Sequence, residues 1–384
     1  MTTSKNKERK NKDSLTDTNT PLINSMPEFI FVHGSYRQNK IYCLIKDNGY
    51  SFIDVDILFR GKYLRKIIRT LKAIKYAKSH RAGPRYIISD GTSRPLFFAY
   101  LIAAASGHPL IVRIRGDNWS AQKTEFRRNP SLYRQLGDFL QERIDDFVLP
   151  RAKLIIAVST FLHDKVKERF NLPEERCAVL AVPLTSQGQE ATSTSVSRQT
   201  TGRFILMATN FEFWEKCGVI LNCLPDITLF LNKYGDVKIL IAGDGSHLAR
   251  IKSSILGKPI ADKIIFTGKV ENMSNLYRES SAFVHLSHLD AFPNVVVEAQ
   301  AAGLPTVVNN FPGITEALTL PGGTIVDEAV PGELFAALDL IFADPAVAVV
   351  RGAKSREETL RRFSPEVIAA QFRRIVEERL ISAS

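Results

Sequence analysis

The stretch from Phe283 to Asn309, FVHLSHLDAFPNVVVEAQAAGLPTVVN, constrains the fold more than any other part of the chain. The apolar run Phe283 to Leu286 predicts a buried strand, and Thr306 to Val308 predicts its neighbour. Between them Val295 to Ala302 contains neither Gly nor Pro and can wind as a helix. A strand, a helix and a strand in so short a space make a parallel crossover unit, so the chain must build a parallel α/β sheet. The polar loop SHLDAFPN then falls at the carboxyl end of the first strand, where open α/β sheets bind ligands. Free N–H groups at the following helix start favour an anion there. Asp290 in the loop and Glu298 in the helix frame this turn, one suited to a ligand's charged centre and the other to its hydroxyls.

With 384 residues the chain has room for two or three domains, each with its own core. Its 45% hydrophobic and 24% charged content is ordinary for a globular protein. The four cysteines, Cys43, Cys177, Cys217 and Cys223, lack CxxC spacing. That argues against a disulfide framework or a zinc site and suits a reducing cytoplasm. The polar start of the chain has no apolar core of the secretory kind, and Leu96 to Ala105 is too short an apolar run to span a bilayer. A net charge of +11 suits nucleotide phosphates, a lipid surface or nucleic acid.

Residues 1–25 read as a disordered tail. Order is expected from Glu28 to Val32, followed by the turn His33-Gly34-Ser35, where Gly34 faces the ligand side of the sheet. No GxGxxG occurs there, which removes a dinucleotide reading. Between Gly61 and Ser79, Leu64, Ile67, Ile68, Leu71 and Ile74 share a helical face, and seven Lys and Arg residues crowd the others. Two readings stand for this helix: core packing with a solvated basic back, or docking on anionic lipid headgroups. Nucleic acid is disfavoured because no aromatic or helix-turn-helix pattern accompanies the charge.

A strand at Tyr86 to Ser89 ends in Asp90-Gly91-Thr92, and a helix from Pro95 to Ala105 leads to a strand at Leu110 to Ile114. That strand empties into the turn carrying Arg115 and Asp117, which are either cleft residues or a local ion pair. Residues 120–150 are charged and largely helical. Next comes a strand within Lys153 to Val158, with Ser159 capping a helix from Thr160 to Phe170 and a last strand starting at Cys177. Residues 186–202, rich in Ser, Thr, Gln and Gly, read as a linker. A second series follows, with strands at Arg203 to Met207, Val237 to Ile241 and Lys263 to Phe266. Lys216 precedes a helix expected from Gly218 to Leu224, and Gly243 and Gly245 let the backbone approach a ligand. Pro365 to Leu380 is the last helix, with a Ser364-Pro365 start.

Asp290, Phe292, Pro293, Asn294, Glu298, Gly303, Leu304 and Pro305 match, in order, the donor-binding signature of family 4 of the retaining glycosyltransferases. The chain resembles that family. Three positions depart from its pattern: Asp290 stands where Glu is usual, Asn210 where an Arg is usual, and no His lies near Asp117. The resemblance implies the GT-B fold, two Rossmann-like doubly wound domains facing a central cleft. It implies an acceptor-binding domain at 26–185, a nucleotide-sugar-binding domain at 203–364, and a helix at 365–384 crossing back to the first domain.

It further implies a UDP-sugar or GDP-sugar donor, a glycan or lipid-linked acceptor, retention of anomeric configuration, and no metal cofactor. The donor contacts implied are Asn210, Lys216, Gly243, Gly245, Lys269, Asp290, Phe292, Pro293, Asn294, Val295 and Glu298. Gly34, Asp90, Arg115 and Asp117 are implied on the acceptor side. Catalysis is assigned to Asp117, Lys216, Asp290 and Glu298. Location is expected in the cytoplasm, with peripheral attachment to the inner membrane face as an option. The alternatives are a non-catalytic nucleotide-sugar-binding protein and a GT-B epimerase of UDP-sugars.

Overall fold

A computed structural model describes residues 27–33, 44–46, 48–56, 63–79, 84–92, 94–117, 119–120, 132–184, 203–320 and 322–381. The expected tail at 1–25, the linker at 186–202, Gly34 and Cys43 lie outside the described residues. In the first domain the strands are β1 (Glu28–His33), β2 (Ser51–Asp56), β3 (Arg85–Asp90), β4 (Leu110–Ile114), β5 (Leu154–Ala157) and β6 (Cys177–Val179). They form one parallel sheet in the order β2-β1-β3-β4-β5-β6. Its helices include α1 (Tyr63–Ala77), α2 (Arg94–Ser106), α3 (Leu132–Val148) and α4 (Thr160–Phe170). Ser159 caps α4 as expected, accepting from the Leu162 amide at 3.2 Å.

The second sheet comprises β7 (Arg203–Ala208), β8 (Val237–Ala242), β9 (Ile264–Gly268), β10 (Ala282–His285), β11 (Thr306–Asn309) and β12 (Gly323–Val326). These are also all parallel, in the order β12-β11-β10-β7-β8-β9. In each sheet the first strand lies inside, with later strands added on both sides. The order therefore reverses at β1/β3 and at β7/β10, and the crevices past those strand ends are the natural ligand sites. Helices α5 (Leu224–Lys233), α6 (Leu248–Ile255) and α8 (Glu333–Ala343) cover one face of the second sheet. Two others, α7 (Asn294–Ala301) and α9 (Pro345–Phe363), take the opposite face. This is the α/β GT-B arrangement, with each sheet apolar on both faces as parallel sheets require.

A final helix, α10 (Pro365–Val376), leaves the second domain and packs on the first. Phe372 is fully buried 6.0 Å from Phe29 and 6.2 Å from Tyr50. The Asn48 amide donates to the Ala369 carbonyl at 2.9 Å, and Tyr86 donates to the Leu380 carbonyl at 3.1 Å. One continuous core thus runs from the first sheet through α10 to the α7 side of the second. Across the cleft, the Glu316 carboxylate accepts from the Thr160 and Phe161 amides at 2.6 and 2.7 Å, capping α4 from the other domain.

Two local expectations need correction. Ile67, Ile68 and Leu71 do not face the core; they are 52%, 43% and 59% exposed. Instead α1 buries Thr70, Ala73 and Ala77, small residues that let it lie close to α2. The helix expected from Gly218 to Leu224 is broken into turns at Trp214–Cys217 and Val219–Asn222. A Cβ at Gly218 would sit 2.5 Å from the Trp214 ring, so this crossing admits only glycine.

Candidate functional site

The second-domain crevice is built from the loops after β7 and β10. Lys216 sits in the short helical turn Trp214–Cys217, which two bonds tie in place. The Thr209 hydroxyl donates to the Lys216 carbonyl at 2.9 Å, and the His288 amide donates to the Glu215 carbonyl at 2.8 Å. On the facing loop the Ser287 hydroxyl accepts from the Leu289 and Asp290 amides at 3.2 and 3.3 Å. Buried Asn309, at the end of β11, grips Ser287 on both sides, accepting from its amide at 2.9 Å and donating to its carbonyl at 3.1 Å. Gly313 closes the base of the loop, since a Cβ there would meet the Asp290 carbonyl oxygen at 2.3 Å.

These supports bring Asp290 between Lys216 and His285. Lys216 Nζ lies 2.5 Å from Asp290 Oδ1, and His285 Nε2 lies 3.1 Å from Oδ2. Burial alone would raise the Asp290 carboxyl. The Lys216 ammonium and the His285 hydrogen bond outweigh it and hold the group well below the ordinary carboxylate range. The other His285 nitrogen, Nδ1, lies 3.1 Å from the Ala208 carbonyl. Both ring nitrogens thus face acceptors. Around one carboxylate the site gathers an ammonium and an imidazole.

Glu298 is buried on α7 and accepts from the Tyr277 hydroxyl at 3.1 Å. Burial, and then the Glu298 carboxylate, push that hydroxyl well above the ordinary tyrosine value, so Tyr277 remains a donor. No side chain caps the start of α7 at Pro293, where Asn294 is exposed and Val295 half-buried. Phe292 is buried against Phe363, with ring centroids 5.5 Å apart. It fixes the loop from below.

Gly243 and Gly245 have left-handed φ angles of 139° and 150°. A Cβ on Gly243 would fall 1.9 Å from the Thr209 carbonyl oxygen, and one on Gly245 would fall 2.4 Å from the Glu212 amide nitrogen. The expected close approach of these glycines is therefore made by the chain's own 209–212 loop. That loop carries Asn210, whose side chain accepts from the Glu212 amide at 2.8 Å. Lys269 is exposed just past β9, the edge strand, two strands from β7.

In the first domain Arg115 does not pair with Asp117. Its Nη1 lies 3.5 Å from Asp90 Oδ2, while Asp117 pairs with Lys165 and accepts from the Ser120 amide at 3.0 Å. Burial opposes ionisation of Asp117, but Lys165 and Ser120 hold its carboxyl below the ordinary range. Asp117 is thereby engaged in fastening its own turn to α4. Asp90 also meets Arg113, whose Nη1 is 3.4 Å from Oδ1. Burial lowers the Arg113 guanidinium from the ordinary arginine value, and Asp90 opposes that. The sequence reading missed His285, Asn309 and Arg113. The available signal was a polar residue at or near the carboxyl end of an otherwise apolar strand, the place where a parallel sheet meets its ligand. Among the described residues no group of three or more His, Cys, Asp and Glu side chains is set to hold a metal ion.

The close fit of the 243–245 loop on residues 209–212 predicts the effect of one added methyl group. Gly243→Ala should lower the Tm by about 5 °C or more, because the clash is with backbone and the φ is strained. A melting curve unchanged from wild type would contradict that packing.

Comparison with known proteins fits this geometry. Residues 189–358 match the model of the family described as Glycosyl transferases group 1. The N-acetyl-alpha-D-glucosaminyl L-malate synthase of Bacillus anthracis is 28% identical over 149 residues, covering 36% of this chain and 37% of that protein. The phosphatidyl-myo-inositol mannosyltransferase of Mycobacterium leprae is 30% identical over 194 residues, 48% of each. The matched stretch thus spans less than half the length of either relative. Among solved structures, a glycosyltransferase from Rickettsia africae superposes with a TM-score of 0.68 at 16% identity, over 93% of this chain and 99% of that one. Anabaena HepE, solved with UDP and glucose, gives 0.66 at 14% identity, over 92% and 99%. Residues 189–358 are thus similar to the group 1 glycosyl transferases, and the chain has the two-domain fold of solved glycosyltransferases.

Proposed function

We infer that the protein is a retaining glycosyltransferase that moves a sugar from a UDP- or GDP-sugar to a hydroxyl of a glycan or lipid-linked acceptor. The observation that carries this reading is the Lys216–Asp290–His285 cluster at the β7/β10 reversal, beside the uncapped start of α7. A departing nucleoside diphosphate needs positive charge that is already in place. Lys216 supplies it as a point charge, and the free amides at Asn294 and Val295 add to it. In this reading Asp290 aims the ammonium and borders the sugar, and Glu298 takes the ribose hydroxyls. The leaving phosphate accepts the acceptor's proton on the same face as the departing group, which retains configuration and requires neither a His base nor a metal.

Melting the purified protein with UDP, GDP and ADP, with EDTA present, tests the donor site. A ligand at a hundred times its Kd should stabilise by about 2.7 kcal/mol. A shift with one uridine or guanosine nucleotide, abolished by Glu298→Ala, is expected. The absence of any shift would count against the donor site, a shift without turnover over any acceptor would favour the non-catalytic alternative, and donor consumption without acceptor would favour the epimerase.

A lipid-linked acceptor is supported by the outer face of the first domain. Ile67, Ile68 and Leu71 of α1, Phe97 and Leu101 of α2, and Leu136, Phe139 and Leu140 of α3 are exposed. Helix α2 packs against both α1 and α3, so these side chains belong to one helical layer, edged by exposed Lys72 and Lys75. No helix among the described residues is long and apolar enough to cross a membrane. The protein should sediment with phosphatidylglycerol-containing vesicles, and Ile68→Glu with Leu71→Glu should release it. Equal sedimentation of the double variant would remove this surface from the proposal.

A further inference from the structure

The reversal point of the first sheet, between β1 and β3, holds a charge arrangement that no contact among the described residues completes. Arg113, the fourth residue of the run LIVRI, is 1% exposed, yet its Nε and Nη2 have no hydrogen-bond partner. Only Nη1 is engaged, at a long 3.4 Å from Asp90. The same carboxylate meets Arg115 at 3.5 Å, so two guanidinium groups share one acid and the crevice keeps a net positive charge.

Leaving N–H donors of a charged group unsatisfied in the interior is expensive, and structures rarely tolerate it without a purpose. The two open donors are not scattered. Nε and Nη2 form one edge of the guanidinium plane, the fork that receives two oxygens of a carboxylate or phosphate side by side. Register places Arg113 opposite Asp90, with buried His33 at the end of β1, past the Val32–Ser89 pair. All three therefore stand at the carboxyl ends of strands, where an open sheet receives its ligand.

We propose that the β1/β3 crevice is an oxyanion site, and that the Nε/Nη2 edge of Arg113 grips a carboxylate or phosphate group of the acceptor. The inference rests on the transferase reading for the word acceptor; the oxyanion site itself does not. Asp90 engages the guanidinium through Nη1 and leaves the Nε/Nη2 edge unpaired. Arg115, half exposed, gives the anion a second cation at the mouth. An acceptor with an acidic group beside its reacting hydroxyl fits such a site better than a neutral sugar does.

The test is thermal melting with sodium malonate and with inorganic phosphate at about 10 mM each, alone and with saturating UDP so that the donor crevice is filled. Wild type should rise by about 3 °C with the preferred probe, UDP present or absent. A larger rise with malonate identifies a carboxylate acceptor, and a larger rise with phosphate identifies a phosphorylated one. Arg113→Lys keeps the charge and loses the fork, so it should lose the rise. An undiminished rise in that variant, or no rise with either probe in wild type, overturns the proposal.

Should Arg113→Lys fail to fold, Asp90→Asn serves instead. Removing the competing carboxylate should increase the shift, and an unchanged or smaller shift overturns the proposal. Failure of both UDP and GDP to shift the melt would sink the transferase reading, whereas an oxyanion shift that depends on Arg113 would still support the crevice site.

Discussion

A carboxylate held between an ammonium and an imidazole organises the second domain. Asp290 is ionised in a buried place only because Lys216 and His285 stand on its two oxygens, and they are held there by backbone and amide contacts from four separate loops. Breaking a buried pair by removing one partner leaves an uncompensated charge, which is far worse than never having had the pair. The supporting details follow from that constraint. Asn309 clamps Ser287, Gly313 lets the 312–315 turn pass under the loop, and Gly243 and Gly245 let the 209–212 loop lie flat beside it. Placed at the strand-order reversal, the cluster presents positive charge where a diphosphate is able to enter.

The first domain is joined to this arrangement at both ends of the cleft. Behind, α10 returns to bury Phe372 among Phe29 and Tyr50. In front, Glu316 reaches across to cap α4, while Phe161 and Phe311 meet edge to face at 5.4 Å. Among the described residues, the contacts there include a carboxylate on amides and one ring pair. The returning helix is apolar and deep, and it acts as the permanent joint.

Much of this was legible from the chain alone because parallel strands are short and apolar throughout. Leu110 to Ile114 and Thr160 to Phe170 follow directly from the apolar run and the Ser159 cap. The edge strand β2 was missed because SFIDVD alternates with acids and offers no continuous apolar run. Lys216 and Asp290, expected from the motif, are brought together in the structure. The pairings in the first domain were not legible, because the partners are distant in sequence. Asp117 finds Lys165 rather than its neighbour Arg115, and Arg115 turns instead to Asp90. The apolar face of α1 misled for a different reason. Helical periodicity reports that a face is apolar, and only the packing of small residues on α2 decides which face is buried.

The central claim is that Lys216, aimed by Asp290, binds the diphosphate of the donor. Isothermal titration of UDP into wild type and Lys216→Met tests it most directly. Losing a charge-assisted contact to phosphate should weaken binding by about tenfold to a hundredfold. Equal affinity for UDP in the two proteins would contradict the account, and the diphosphate would have to be sought elsewhere in the cleft.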